Sequence, residues 1–201
     1  MTSVVNLRAF ANSANVPLVV LVDMQQEYLA TPRLLAISEI DRALNNCRKI
    51  LDHARRLGLP VAFVRMFGES AFFNRATPFV RWIEGFEPAR NEMVFEREAP
   101  SCYSCEPFAA LVSQSRGGIV LAGFAGEAAC LSTLIDAFHR NHIVTYLCDA
   151  SASHALDTMS ADEVHRAVSM ISAVYAEVYE TDEWIAATTP RKLSNGKGAV
   201  G

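Results

Sequence analysis

Leu18-Val19-Val20-Leu21-Val22, followed at once by Asp23, is the stretch of this 201-residue chain that decides its fold. The run is apolar without interruption and rich in β-branched residues, a pattern typical of a strand buried on both faces of a parallel sheet. Such a strand needs helices on either side of the sheet. In sheets of this kind, ligands bind beyond the carboxyl ends of the strands, so Asp23 lies where a site is expected.

The sequence on either side of this strand alternates helical and strand patterns. Apolar residues recur at helical spacing from Ile40 to Leu57, with Ser38 as the predicted N-cap and Gly58 as the end of the helix. A second buried strand over residues 60–64 completes a right-handed βαβ unit. Strands are further predicted over residues 93–95, 119–122, 143–148 and 176–179, and helices over residues 107–112, 127–140 and 161–174.

These elements predict an α/β fold, a three-layer sandwich whose mostly parallel sheet of five or six strands carries helices on both faces. The chain is long enough for one core and short for two, so residues 1–201 are predicted to form a single domain. Its ordered core is expected over about residues 17–187, followed by a flexible C-terminal tail. Residues 67–91 hold several aromatic side chains and weaker periodicity, and they predict a long connection that serves as a lid or as an oligomer contact.

Composition and charge exclude several classes of partner. The formal net charge is -4 with no block of like charges, which argues against binding to nucleic acid or to an anionic membrane surface. The longest apolar run is too short to span a bilayer and contains Pro17. The start of the chain lacks the pattern of a secretory leader, so a cytoplasmic location is expected.

Cysteine and histidine spacing indicates neither a disulfide framework nor a metal site. The five cysteines are an odd number and scattered, and they are expected to be reduced thiols. Cys102 and Cys105 have a Cys-x-x-Cys spacing, but no second pair or nearby histidine completes a zinc site. The glycines of residues 123–130 do not match a nucleotide-binding fingerprint, and no cofactor is predicted.

Two features have the chemistry of a site, and each has a structural alternative. Asp23 is expected at a poorly hydrated sheet edge, where burial raises the pKa of a carboxyl toward that of a useful proton shuttle; it could equally cap a helix. Cys130 falls in the first turn of a predicted helix, where the helix N-terminus could lower the thiol pKa and make the sulfur nucleophilic. It also shares an apolar stripe with Leu134 and Phe138, which is typical of a core position.

The motifs of the chain resemble those of the isochorismatase-like (cysteine hydrolase) superfamily. The resemblance rests on Val20-Leu21-Val22-Asp23-Met24-Gln25 with Tyr28, on residues 121–137, and on Asp149-Ala150-Ser151-Ala152-Ser153, in that order over residues 17–185. The resemblance implies a catalytic Asp at Asp23. Family members commonly form dimers or larger assemblies, so a homo-oligomer that takes a small-molecule substrate is expected.

Two positions depart from the family's pattern. The resemblance places Arg97 where the family has a catalytic Lys, and Ala129, rather than Cys130, where the amidases have their nucleophilic Cys. Isochorismatase-type members also lack the nucleophile but keep the Lys. The resemblance further implies a cis peptide at Phe124-Ala125. It implies substrate contacts from Tyr28, Ser101, Ala125 and Gly126.

The resemblance implies a hydrolase of a C–N or C–O bond near a carbonyl or carboxylate, with Asp23 transferring protons and Arg97 as its electrostatic partner. An amidase-type reaction would need a thiolate and an oxyanion cradle in the loop of residues 123–130. An isochorismatase-type reaction would use Asp23 as general acid on a vinyl ether, with water adding directly. Two alternatives stay open: a catalytically silent relative that binds a ligand, and an amidase whose Cys at position 129 has been replaced by Ala129.

Overall fold

A computed structural model describes residues 16–69, 71–115 and 117–189. Six strands form one sheet in the order β3-β2-β1-β4-β5-β6, and every adjacent pair is parallel. The strands are β1 (Leu18–Val22), β2 (Val61–Met66), β3 (Met93–Arg97), β4 (Ile119–Gly123), β5 (Val144–Ser151) and β6 (Glu177–Tyr179). The predicted α/β fold with a parallel sheet is confirmed.

Helices connect the strands: α1 (Asp41–Leu57), α2 (Glu106–Gln114), α3 (Leu131–His139), α4 (Ala161–Ser172) and α5 (Thr181–Thr188). The predicted N-cap at Ser38 is wrong, because Glu39 takes a left-handed backbone conformation (φ 61°) and α1 begins only at Asp41. The sequence reading also missed α5, a short helix that a capping box between Glu180 and Glu183 starts. No helix within the described ranges is long and apolar enough to cross a membrane.

The sheet separates two apolar clusters, which makes the three layers. Val19 and Leu21 of β1 face a cluster that includes α1 and Trp184 of α5, whereas Val20 and Val22 face the side chains of α2 and α3. The alternation follows from the two-residue period of a strand. The predicted flexible tail falls mainly on residues 190–201, which lie outside the described residues.

The strand order reverses between β1 and β4, since β2 and β3 lie on one side of this pair and β5 and β6 on the other. A glycine is required at the end of β4: a Cβ atom on Gly123 would lie 2.2 Å from the carbonyl oxygen of Val22. The crevice at such a reversal is the usual ligand site of an open parallel sheet. Asp23 and the loop after Gly123 both border it.

Candidate active site

Asp23 lies directly beyond the carboxyl end of β1. Its backbone is left-handed (φ 49°), a conformation that Asp tolerates better than most residues, and its N–H donates to the carbonyl of Val64 at 2.8 Å. The side chain is fully buried. Asp23 does not cap the short 3-10 helix of Gln26–Tyr28, whose N-cap is Gln25, so the structural alternative raised for this residue does not hold.

Arg97, the last residue of β3, forms a buried ion pair with Asp23. Its Nη2 donates to Asp23 Oδ2 at 2.6 Å, and its Nη1 donates to the carbonyl oxygen of Ala99 at 2.6 Å. Because β2 lies between β3 and β1, the guanidinium reaches across the carboxyl end of β2, where Met66 pairs with Arg97 in the sheet. Both side chains are at most 1% exposed. The structure thus brings together the two residues to which the sequence assigned proton transfer and charge.

Burial decides the protonation behaviour of Asp23. It raises the pKa of the carboxyl from 3.8 to about 6, although Arg97 and the hydroxyl of Tyr28, which donates to Oδ2 at 3.5 Å, act in the opposite direction. Desolvation therefore outweighs the charge of Arg97, which by itself lowers this pKa. Asp23 Oδ1 is buried and has no hydrogen-bond partner among the residues that the structure describes.

The loop after β4 differs from its prediction in its local geometry. The Phe124–Ala125 peptide is cis, as expected. Residues 126–130 form a π-helical turn, and α3 begins only after it. The N–H of Gly126 donates to the carbonyl of Ala152 at 2.8 Å, and the N–H of Cys130 donates to that of Ala125 at 3.1 Å.

Cys130 does not have the lowered thiol pKa that a helix N-terminus could give. Its Sγ donates to the carbonyl oxygen of Gly123 at 3.4 Å and accepts from Ser151 Oγ at 3.8 Å, inside the apolar cluster on the α2 and α3 side of the sheet. Burial raises the thiol pKa well above its ordinary value, so of the two alternatives raised for Cys130 the core position is the one that the structure supports. Ala129, at the family's nucleophile position, is also buried.

Asp23 is fully buried beneath a cover of aromatic side chains around Tyr28, whose hydroxyl contacts its carboxylate, and the connection over residues 67–91 contributes Phe73 to this cover. The ring of Tyr28 lies 5.6 Å from that of Phe73 and 5.9 Å from that of Phe124, measured between centroids. The Gln25 amide holds the connection in place, because its Nε2 donates to the carbonyl oxygens of Met66 and Val80. Ser101, by contrast, caps the 3-10 helix of Cys102–Ser104 by accepting from the N–H of Tyr103 at 3.2 Å.

His154, which the sequence does not single out as a site residue, lies beside the ring of Tyr28 in this cover. Its ring is 6.0 Å from that of Tyr28, its Nδ1 is 2.6 Å from Glu127 Oε1, and its Nε2 is 3.1 Å from the carbonyl oxygen of Leu35. Both nitrogens face acceptors, which favours the doubly protonated ring, and the hydrogen bond to Glu127 raises the pKa of His154. The one sequence feature that could have identified His154 as a site residue is its position just beyond the end of β5, at the carboxyl edge of the sheet.

A cavity of about 440 Å³ lies along the other half of the carboxyl edge. It is lined by residues 38–43, by the end of β5 and by the first turns of α4, and neither Asp23 nor Arg97 lines it. Within the described ranges no three His, Cys, Asp or Glu side chains come together as a set of metal ligands.

Comparisons with known proteins agree with this geometry. A family model described as the isochorismatase domain matches residues 17–183. The chain is 25% identical over 173 residues to YddQ, an isochorismatase family protein of Bacillus subtilis, and the match covers 82% of this chain and 96% of YddQ. The crystal structure of an isochorismatase from Pseudomonas putida superposes with a TM-score of 0.78 at 27% identity, covering 84% of this chain and 90% of that one.

The structure of an amidase is also similar in fold to this chain. N-carbamoylsarcosine amidase from Thermoplasma acidophilum superposes with a TM-score of 0.65 at 24% identity, covering 83% of this chain and 97% of the amidase. At that identity the likeness concerns the fold alone.

Proposed function

The chain belongs to the isochorismatase family, and we propose that it is a hydrolase that breaks a C–N or C–O bond of a small molecule next to a carbonyl or carboxylate. One observation carries the proposal: Asp23 and Arg97 form a fully buried ion pair at the strand-order reversal, and one carboxylate oxygen, Oδ1, is left without a partner. An unpaired buried oxygen costs stability, and such costs are tolerated where a ligand supplies the missing contact.

Asp23 is the proton-transfer residue of this proposal. A pKa of about 6 lets the carboxyl hold and release a proton close to neutral pH, which an ordinary Asp does not do. Because Arg97 donates to Oδ2, the transferred proton resides on Oδ1, the oxygen that is free to face a substrate.

Arg97 serves as a fixed charge and not as a second proton carrier. A guanidinium does not lose its proton under physiological conditions, so it cannot replace the Lys of the family as an acid or base. It can hold a substrate carboxylate or the charge of Asp23 in one orientation, because the carbonyl of Ala99 fixes its other nitrogen.

The environment of Cys130 favours water over sulfur as the nucleophile. A thiol that donates to a main-chain carbonyl and has a raised pKa is poorly activated for attack. We therefore favour the isochorismatase-type reaction: Asp23 protonates the vinyl carbon of an enol ether, water adds to the resulting cation, and the adduct breaks its C–O bond to give a carbonyl compound and an alcohol.

Substrate entry requires movement of the cover over Asp23. Arg33 joins two segments of this cover, one that contains Glu27 and one that contains Ala71. Its Nε contacts Glu27 Oε1 at 2.5 Å, and its Nη2 donates to the carbonyl oxygen of Ala71 at 2.6 Å. Tyr28 and Phe73 belong to these two segments, and their rings pack edge to face. These segments form the lid of the proposed site.

Turnover of a substrate panel by the purified protein and by Asp23→Asn tests this function. The panel contains amides, hydrazides and isochorismate, and Glu92→Gln is the matched control, since Glu92 is a second buried carboxylate in an ion pair. We expect isochorismate or another vinyl ether to be hydrolysed, the Asp23→Asn enzyme to be inactive and the control to be active.

Three outcomes would contradict the proposal. Turnover that Asp23→Asn leaves unchanged would remove Asp23 from the reaction. Tight ligand binding without turnover of any member of the panel would identify a silent relative, and amidase activity gained only on Ala129→Cys would identify an amidase that has lost its nucleophile.

A further inference from the structure

The cavity beside the Asp23 site contains a second group of chemically reactive side chains. Its volume of about 440 Å³ is in the range of small-molecule sites. Ser153, from the segment just after β5, and His165, from the second turn of α4, both line it. The mechanism proposed for Asp23 uses neither residue.

The hydrogen bonds of His165 fix its tautomer. Its Nε2 lies 2.8 Å from the carbonyl oxygen of Cys148, and because a carbonyl only accepts, Nε2 carries the hydrogen. In the neutral ring Nδ1 is then an acceptor, and it lies 3.1 Å from Ser153 Oγ. The Ser153 hydroxyl is therefore directed at a nitrogen that can take its proton, and a main-chain carbonyl orients the base. This is the arrangement that activates a serine as a nucleophile.

The surroundings of Ser153 hold its hydroxyl in place. Ser153 is 2% exposed, and a Cβ atom on Gly126 would lie 2.8 Å from Ser153 Oγ and 3.3 Å from His165 Nδ1. Gly126 of the π-helical turn thus packs against the pair, which lines the cavity.

We propose that Ser153 and His165 form a second nucleophilic site, which hydrolyses esters of small carboxylic acids in this cavity. Ser153 Oγ attacks the ester carbonyl while its proton passes to His165 Nδ1. The tetrahedral adduct collapses to an acyl-serine, and the alcohol leaves with the proton from His165. Water then attacks the acyl group, His165 takes a proton from that water, and the proton returns to Ser153 as the acid departs.

The remaining lining of the cavity suits such a substrate. Its charged side chains are mixed in sign, which is compatible with a neutral ester: Glu39, Asp162 and Glu180 contribute carboxylates. Arg42 and Arg166 add guanidinium charge. The carboxylate of Asp149 is already occupied, because it accepts from Thr181 and from Asn46. A volume of this size accommodates a short acyl ester.

Hydrolysis of p-nitrophenyl acetate and labelling by a fluorophosphonate test the proposal. We expect multiple turnovers of p-nitrophenyl acetate, and peptide mass mapping should place the phosphonate on Ser153. Ser153→Ala and His165→Gln should each lower kcat/KM at least 100-fold. Ser169→Ala is the matched control, since Ser169 lines the same cavity but its hydroxyl donates to the carbonyl of His165, and it should retain full activity.

The phosphonate separates this site from the proposed function, because it reports a serine nucleophile, whereas the isochorismatase-type reaction proposed for Asp23 forms no covalent intermediate. Labelling of Ser153 in a protein that hydrolyses no member of the substrate panel would support this inference alone, and vinyl ether hydrolysis without labelling of Ser153 would support the proposed function alone. Because labelling uses the wild-type protein, it remains decisive even if Ser153→Ala or His165→Gln fails to fold. A phosphonate found only on other residues, or ester hydrolysis that survives in a folded Ser153→Ala variant, would overturn the proposal.

Discussion

Two buried ion pairs at opposite edges of the sheet differ in how completely their carboxylates are satisfied. At the amino edge, Glu92 accepts from Arg55 Nε at 2.8 Å, from Arg55 Nη2 at 2.9 Å and from the N–H of Ala89 at 2.7 Å. At the carboxyl edge, Asp23 receives one short hydrogen bond from Arg97 on Oδ2, and its Oδ1 has none from the described part of the chain. Arg55 is also 36% exposed, whereas Arg97 is fully buried.

If Asp23 transfers protons as proposed, the difference separates a structural pair from a functional one. The Glu92 pair saturates its acceptors and joins the end of α1 to the loop before β3, so it stabilises local structure. The Asp23 pair is fully desolvated, and one of its carboxylate oxygens has no partner among the described residues. Such a pair adds little to stability, and it is typical of sites that bind a ligand or transfer a proton.

The largest expected difference between the pairs is in catalysis. Asp23→Asn should lower kcat/KM by about 10²- to 10⁴-fold on a vinyl ether or another substrate hydrolysed at the Asp23 site, because the amide cannot transfer a proton. Glu92→Gln should stay within about twofold of wild type, since Glu92 does not contact the site. Initial rates at saturating and limiting substrate measure both effects. Equal losses in the two variants would mean that the difference between the pairs carries no functional meaning.

The next largest difference concerns stability. Arg97→Met should cost about 3–5 kcal/mol of unfolding free energy at pH 8, because it leaves a buried carboxylate that is unpaired or must take up a proton. Arg55→Met should cost about 1 kcal/mol, since Arg55 is partly in water and Glu92 keeps the N–H of Ala89. Urea denaturation measures both values. The double variant Asp23→Asn/Arg97→Met should recover part of the loss, and a loss that remains undiminished would exclude an uncompensated charge as the cause.

Stability as a function of pH should also distinguish the pairs. The folded-state pKa of Asp23 is raised above its unfolded value, so between about pH 4 and pH 6 the native protein binds more protons than the unfolded chain. Stability from this group is therefore present at low pH and lost as pH rises to about 6, by on the order of 3 kcal/mol relative to Asp23→Asn. Denaturation of both proteins from pH 4 to pH 7 tests the sign of this dependence. An unfolding free energy of the wild type that rises with pH relative to that of Asp23→Asn would contradict it.

The smallest expected effect comes from Tyr28. Its hydroxyl donates to Asp23 at 3.5 Å, a long hydrogen bond, so Tyr28→Phe should cost less than about 1 kcal/mol and raise the pKa of Asp23 slightly. The pH–rate profile of the variant should shift to higher pH without a large loss of maximal rate. A shift to lower pH would show that the hydroxyl does not stabilise the carboxylate.

Much of the fold could be predicted because its signals are local. The apolar run ending at Val22 and the helical spacing of residues 40–57 each fit only one kind of element in a parallel sheet. Predictions failed where one residue changed the path of the chain. Glu39, with its left-handed backbone, delays the start of α1, and the π-helical turn at residues 126–130 delays the start of α3.

The sequence alone determined that Asp23 follows a buried strand and that Arg97 lies just past a short strand, because strand ends can be read from hydropathy. Only the tertiary structure decided that these side chains, 74 residues apart, meet across the end of β2. It also decided that the sulfur of Cys130 turns toward Gly123 and that Ser153 faces His165. Hydropathy depends on each residue and its neighbours in the chain, whereas the direction of a side chain and its loss of water depend on segments that only folding brings together.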